Sequence, residues 1–259
     1  MVTVSVIMSV HNNKKYVGDA VQSVLDQDYS DFEFIIYDDG STDGTFDVLK
    51  SFNDERIILK RNKKSIGLTK TLNKMLSMAR GKYIARMDGD DICEVTRFSK
   101  QVKMLESSDV CGTWITLIAE DGEQIVERKY SGNIDKSILI ASPLAHPSVM
   151  FRKSLVDEYK GYDEDFVSGQ DYDLWLRYWS AGARFSVVQE SLLKYRIHTE
   201  SVKSKNTRAV LRNTLRIKRK ARTEYDVRFG FFGWLRIGME RVASLLPSRL
   251  VLWAWRKTL

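Results

Sequence analysis

Apolar and polar positions alternate along the first ninety residues with two different periods. Val2 to Val10 is a β-branched apolar run, which predicts a buried strand. Between Tyr16 and Gln27, Val17, Ala20, Val21, Val24 and Leu25 share one helical face. Phe32 to Tyr37 predicts a second strand, closed by the turn-rich stretch Asp38-Asp39-Gly40-Ser41-Thr42-Asp43-Gly44. A helix from about Thr45 to Phe52, a strand at Arg56 to Lys60, a helix at Thr69 to Ala79 and a strand at Tyr83 to Met87 continue the series. Near-continuous apolar strands alternating with helices predict an α/β fold whose mostly parallel sheet is covered on both faces. Ligands on such sheets sit at the carboxyl ends of the strands. Two acidic clusters fall there: Asp38-Asp39, and Asp88-Gly89-Asp90-Asp91.

Beyond Asp91 the pattern changes. A helix over Glu94 to Glu106 precedes strands at Val110 to Ala119 and Gln124 to Tyr130, joined by an Asp121-Gly122 hairpin signal. The cluster Ser168-Gly169-Gln170-Asp171-Tyr172-Asp173 opens a helix through Trp175, Leu176 and Trp179, and from about Thr207 the chain reads as basic helices.

Composition narrows the classes. At 259 residues, 43% hydrophobic and 29% charged, the chain can bury a core and is not wholly disordered. Two cysteines exclude a disulfide framework and point to a reducing compartment. The start, Met1 to Met8, lacks a basic n-region, and no apolar run nears the roughly 20 residues of a membrane span. A soluble or peripheral protein is expected. The net charge of +7 is uneven: from Lys194 onward there are 17 basic and 4 acidic residues, against 24 and 30 before it. Such a tail is expected to meet an anion, nucleic acid or lipid.

Three carboxylates in four residues, Asp88, Asp90 and Asp91, repel one another, so crowding them at a strand end requires a cation or solvent. Oxygen ligands suit Mg²⁺ or Mn²⁺; a solvated turn capping the next helix is the alternative. An Asp of Asp38-Asp39, with glycines following, can accept the N–H of a base or ribose hydroxyls, and the same loop can be a turn in which Thr42 or Asp43 caps the next helix. Asp171 can act as a general base, or as an acidic residue favoured at a helix start. His146 could orient an acceptor or phosphate, although a lone histidine beside a proline is more often structural, as are His11 and His198. Walker spacing, Gly-x-Gly-x-x-Gly, a Gly-x-Ser-x-Gly elbow and a His/Cys cluster are absent from the sequence.

Taken in order, Val4 to Asn12, Ser23 to Gln27, Phe32 to Thr45, Ile66 to Leu68 with Leu72-Asn73, Gly81 to Asp91, His146 to Met150, Gln170 to Leu176 and Tyr195-Arg196-x-His198 resemble the family 2 inverting glycosyltransferases with the GT-A fold. The resemblance covers about residues 1–200. It implies a nucleotide side formed by Ser9, Val10, His11, Asp38, Asp39, Asn73 and Asp88, with Ser9 and Asp39 holding the base. Asp88 and Asp90 match the metal-binding DxD pair, and Asp171 matches the catalytic base. Gln170 stands where the family usually has glutamate, so a carboxylate there is not required. His146, Gln170 and Trp175 fall on the acceptor side, and Asp173 is expected to point away.

The expected enzyme takes a nucleotide-diphosphate sugar, with UDP as the default, and Mn²⁺ or Mg²⁺. Its acceptor would be a glycan or lipid-linked sugar in surface polysaccharide or glycolipid synthesis. A GT-A domain over 1–206, with a nucleotide part to about 92 and an acceptor part from 93, would precede a basic amphipathic tail at 207–259. In the tail, Trp234, Leu235, Ile237, Met239, Val242, Leu245 and Leu246 recur at helical spacing beside Arg236 and Arg241. Together with Phe229, Phe231, Phe232, Trp253, Trp255, Arg249, Arg256 and Lys257, this suggests an anchor on the cytoplasmic membrane face. The alternative is a helix packed on the domain or on a second copy; no nucleic-acid motif occurs. A non-catalytic sugar-nucleotide-binding subunit and a sugar nucleotidyltransferase are the competing functions. The latter commonly carries a Gly-rich triphosphate loop, which Ser9-Val10-His11-Asn12 does not resemble.

Overall fold

The computed structural model describes residues 2–198 and 207–246. Four strands, β1 (Val4–Val10), β2 (Phe32–Asp38), β3 (Ile57–Arg61) and β4 (Tyr83–Asp88), form the parallel half of one sheet in the order β3-β2-β1-β4. The expected helices between them are α1 (Val17–Leu25), α2 (Thr45–Lys50) and α3 (Leu68–Met78). Side chains of one strand point alternately to the two faces. Ile7, Ile35 and Ile84 pack with α3, whereas Val6, Met8, Phe34 and Ala85 pack with α1. Both faces are dry, which is why these strands read as unbroken apolar runs.

The sheet then continues in both senses. After β5 (Ile92–Cys93) and α4 (Arg97–Met104) come β6 (Val110–Ile118) and its hairpin partner β7 (Gln124–Arg128), the short helix α5 (Ile134–Ser137), and β8 (Met150–Arg152), antiparallel to β4. Helices α6 (Lys153–Tyr159) and α7 (Gln170–Ser180) lead to β9 (Phe185–Arg196), parallel to β6. The sequence pattern did not reveal β9. Its register with β6 shifts around Thr113 and Trp114, leaving Gln189 and Glu190 exposed, and such a bulge erases the period-2 signal. Phe151, Trp175 and Tyr178 fill the core on the α7 side, fully buried.

The basic segment does not stand apart as an appended tail. Helices α8 (Thr207–Glu224) and α9 (Phe231–Leu245) and the link between them bury Ile217, Ala221, Val227, Phe229 and Ile237 in the same core as Trp175. A buried Lys218–Glu240 pair at 2.9 Å ties the two helices together, and Lys218 Nζ also donates to the Ile140 carbonyl at 2.8 Å. The boundary expected after residue 206 therefore separates no independent part among the described residues. Arg249, Trp253, Trp255, Arg256 and Lys257 lie outside them.

Candidate active site

Strand register assembles the first wall of a cleft. Val10 pairs with Asp38 on one side and Ser9 with Asp88 on the other, so the ends of β2, β1 and β4 deliver their polar residues to one edge. Ser9, Val10, His11, Asn13, Asp39, Leu68, Asp88, Gly89 and Asp90 line a cavity of about 250 Å³ there.

At the β2 corner Asp39 is well supplied with donors. Asp39 accepts from Asn62 Nδ2 (2.7 Å), Ser65 Oγ (2.8 Å), Ile66 N (3.0 Å) and Gly67 N (2.9 Å). Burial pushes its carboxyl up, but these donors outweigh burial and hold it below the usual carboxylate range. Asp39 thus organises the 62–67 loop as well as facing the cavity. Gly40, at φ +76°, lets the chain pass so close that a Cβ would lie 2.7 Å from Ser65 N. His11 Nδ1 sits 2.9 Å from the Asp39 carbonyl.

Asp38, expected on the nucleotide side, does not line this cavity. It is fully buried, accepts the Ser41 N–H at 3.0 Å and pairs with Arg61 Nε at 3.0 Å, so it shapes the loop beneath the cavity. Asn73, expected on the same side, does not line it either. Its amide donates to the Tyr162 carbonyl and accepts the Tyr162 N–H, both at 2.9 Å, clamping α3 to the 160s loop.

At the β4 corner the balance reverses. Oxygens of Asp88, Asp90 and Asp91 lie within 4.8 Å of one another. Burial first, then repulsion from Asp88, pushes the Asp90 carboxyl up, and Asp91 is driven well above its usual range by burial and by both neighbours. Asp91 Oδ1 accepts the Arg196 N–H at 2.9 Å, while its buried Oδ2 has no hydrogen-bond partner. Asp90 Oδ2 meets His198 Nε2 at 2.7 Å, and Asp88 pairs with the buried Arg86. Three crowded carboxylates, one with an unsatisfied buried oxygen, plus an imidazole nitrogen make a donor set that fits a hard divalent cation such as Mg²⁺ or Mn²⁺.

His198, expected to be structural, therefore belongs to this corner. Arg196 locks β9 to it, donating from Nε to the Asp90 carbonyl at 2.9 Å and from Nη1 to the Ala119 and Glu120 carbonyls. Arg86 also escaped sequence reading. It is two positions before Asp88 on one strand face, a spacing that could have flagged a cation beside the carboxylate.

Asp171 is not part of the small cavity. It occupies the first turn of α7, half-buried, after Gly169 at φ +75°, and accepts from Ser142 Oγ at 3.2 Å. Tyr162 links the two regions. Burial, followed by smaller contributions from Tyr178, Asp171 and Asp88, pushes its hydroxyl far up despite Arg86, and that hydroxyl lies 2.8 Å from His146 Nε2. Asp171 and Asp88 both act on this tyrosine through their charge.

Asp173 points elsewhere, to Tyr225 Oη at 2.9 Å and Arg177 at 3.5 Å. Trp175 is no acceptor-side surface. It is fully buried, with His146 edge-on at 6.3 Å, because α7 turns it into the core. Gln170, 6% exposed, is likewise buried, and its Oε1 has no hydrogen-bond partner.

The comparisons agree with this architecture. A family model described as Glycosyl transferase family 2 matches residues 5–160. The Escherichia coli O-antigen biosynthesis glycosyltransferase WbnJ is 38% identical over 76% of this chain and 81% of its own. The putative glycosyltransferase EpsE of Bacillus subtilis is 34% identical over 96% and 91%. Among solved structures, S. aureus TarS 1–349 in complex with UDP superposes with a TM-score of 0.66 at 19% identity, over 83% of this chain and 65% of that one, just under two thirds. The mannosyltransferase PcManGT from Pyrobaculum calidifontis, in complex with GDP-Man and Mn²⁺, gives 0.64 at 14% identity, over 98% and 79%. The structures share the GT-A fold, and the family model together with the full-length relatives places the chain in glycosyl transferase family 2.

Proposed function

We propose that the chain is a metal-dependent inverting glycosyltransferase that moves a sugar from a UDP-sugar to a hydroxyl of a glycan or lipid-linked acceptor. The observation that carries this reading is the β4 corner: Asp88, Asp90 and Asp91 converge beside His198 with an unsatisfied buried oxygen. A divalent cation bound there would neutralise charge on the diphosphate leaving group. Ser9, Val10, His11 and Asp39 form the nucleotide side, Asp88 and Asp90 hold the metal, and His198 is a candidate additional ligand. Asp171 takes the acceptor hydroxyl proton as the acceptor oxygen bonds the anomeric carbon and the bond to the diphosphate breaks. Retention by double displacement needs a second carboxylate as nucleophile; Asp173, the nearest in sequence, is committed to Tyr225 and Arg177. The expected product is therefore inverted at the anomeric carbon.

The named relatives in O-antigen and teichuronic acid biosynthesis, and one described as a UDP-Glc:alpha-D-GlcNAc-diphosphoundecaprenol glucosyltransferase, support an acceptor in surface polysaccharide synthesis. A lipid-carried acceptor would put the enzyme on the cytoplasmic face of the membrane. A panel of nucleotide sugars, assayed for Mn²⁺-dependent hydrolysis and transfer with the product anomer read by NMR, tests the reading. Asp171→Asn should lower transfer by about 10²- to 10⁴-fold with donor binding retained; transfer at the wild-type rate would refute the assignment of the base.

A further inference from the structure

Helix α9 is mounted with its apolar stripe facing outward. Its inner face is fixed by Ile237, by the Lys218–Glu240 pair, and by Gly233, where an added Cβ would lie 3.3 Å from the Leu139 carbonyl. On the opposite side Phe231, Trp234, Leu235, Met239, Val242 and Leu245 are 45 to 80% exposed. Those positions recur at helical spacing and form one ridge. A contiguous apolar surface of this kind on a folded protein marks an interaction site.

The neighbouring helix supplies charge alongside it. Arg208, Arg212, Arg219 and Arg222 share one exposed face of α8. Two contacts set that face against α9: Arg222 stacks over the Trp234 ring at 5.4 Å, and Arg208 Nε donates to the Leu246 carbonyl at 2.8 Å. Residues 207–246 carry ten basic and three acidic side chains, and the acidic Glu240 is consumed inside. An apolar ridge bordered by arginines complements an anionic lipid surface, where headgroups meet the arginines and acyl chains the ridge. Among the described residues no helix is long and apolar enough to cross a membrane.

Helix α8 also braces the candidate base. Asn213 Nδ2 donates to Ser168 Oγ at 2.8 Å, Ile217 lies against Gly169, and Lys218 holds the Ile140 carbonyl two residues from Ser142, the Asp171 partner. Resting on the reading that the acceptor is carried on a lipid, we infer that α8 and α9 form a docking face for an anionic bilayer, beside the acceptor end of the cleft. Lipid-linked acceptor would then reach Asp171 without leaving the membrane.

Co-sedimentation of the full chain with vesicles tests this, comparing phosphatidylglycerol mixed into phosphatidylcholine with phosphatidylcholine alone. Wild type should bind the anionic vesicles and largely ignore the neutral ones. A triple variant, Trp234→Ser with Leu235→Ser and Met239→Ser, should lose at least tenfold in binding. Arg212→Gln with Arg219→Gln should lose about 30-fold, from about 1 kcal/mol per basic residue near the surface. Both variants should keep the wild-type melting temperature and Mn²⁺-dependent UDP-sugar hydrolysis in solution. Wild type that ignores anionic vesicles, or variants that bind as well as it does, would overturn the docking face. So would a wild-type dimer by light scattering that the triple variant dissolves without any vesicle binding, which would assign the ridge to a second copy. Vesicle binding lost in the variants, in a protein that hydrolyses no nucleotide sugar, would support the face while refuting the transferase reading.

Discussion

Across β1, two acidic corners face one cavity with opposite electrostatics. At the end of β2, Asp39 has donors on both oxygens and Asp38 pairs with Arg61, so burial is offset inside the chain. At the end of β4, Asp88, Asp90 and Asp91 press on one another, and burial and repulsion drive Asp90 and Asp91 toward protonation. Asp39 is saturated as folded and Asp38 Oδ2, without a hydrogen-bond partner, still has the Arg61 charge beside it, so the first corner carries its own compensation. The second is left with an excess of negative charge that an external cation would offset. On the proposed function, the difference favours β4 for the metal and leaves β2 to shaping and recognition.

Removing a carboxylate at each corner should produce opposite outcomes. The largest effect belongs to Asp90→Asn. Turnover should fall by about 10³-fold, because stabilisation of leaving-group charge is worth several kcal/mol, while the melting temperature should hold or rise as repulsion is relieved. A fall in both together would deny the asymmetry. His198→Ala should follow, weakening Mn²⁺ affinity by about 10- to 100-fold, as loss of a metal-supporting partner typically does; calorimetric titration reads this directly.

Asp39→Asn should act mainly on stability. Replacing a charged acceptor of four bonds costs about 1–3 kcal/mol, visible in denaturant unfolding, with metal affinity kept. The smallest effect is its pH dependence. Asp39 is held below its unfolded value near 3.9, so its contribution is full above that value and fades as pH falls through the folded one. The gap in melting temperature between wild type and Asp39→Asn should therefore be constant from pH 7 to 5 and close below about pH 4. A gap that widens on acidification would reverse the assigned sign.

Much of the donor half was legible because each signal was local. Strands β1, β2 and β4 are dry on both faces, and the acidic loops follow them directly in sequence. What escaped depends on contacts distant in sequence. His198 reaches Asp90 from 108 residues away, two residues past a strand whose bulge hides its periodicity. Asn73 and Trp175 matched family segments, yet the 160s loop and the core claim their side chains. The basic tail displayed its amphipathic spacing in sequence, but which stripe faces outward is set by Lys218, Glu240 and Ile237. Sequence period reveals that a helix has two faces; packing decides which face is left to solvent.

The central claim is that the β4 corner, and not the β2 corner, requires a cation. Paramagnetic titration with Mn²⁺ in the presence of UDP, on wild type, Asp90→Asn and Asp39→Asn, tests it most directly. The account predicts tight Mn²⁺ binding in wild type, near-wild-type affinity in Asp39→Asn, and loss by more than tenfold in Asp90→Asn. Equal Mn²⁺ binding by wild type and Asp90→Asn would contradict it.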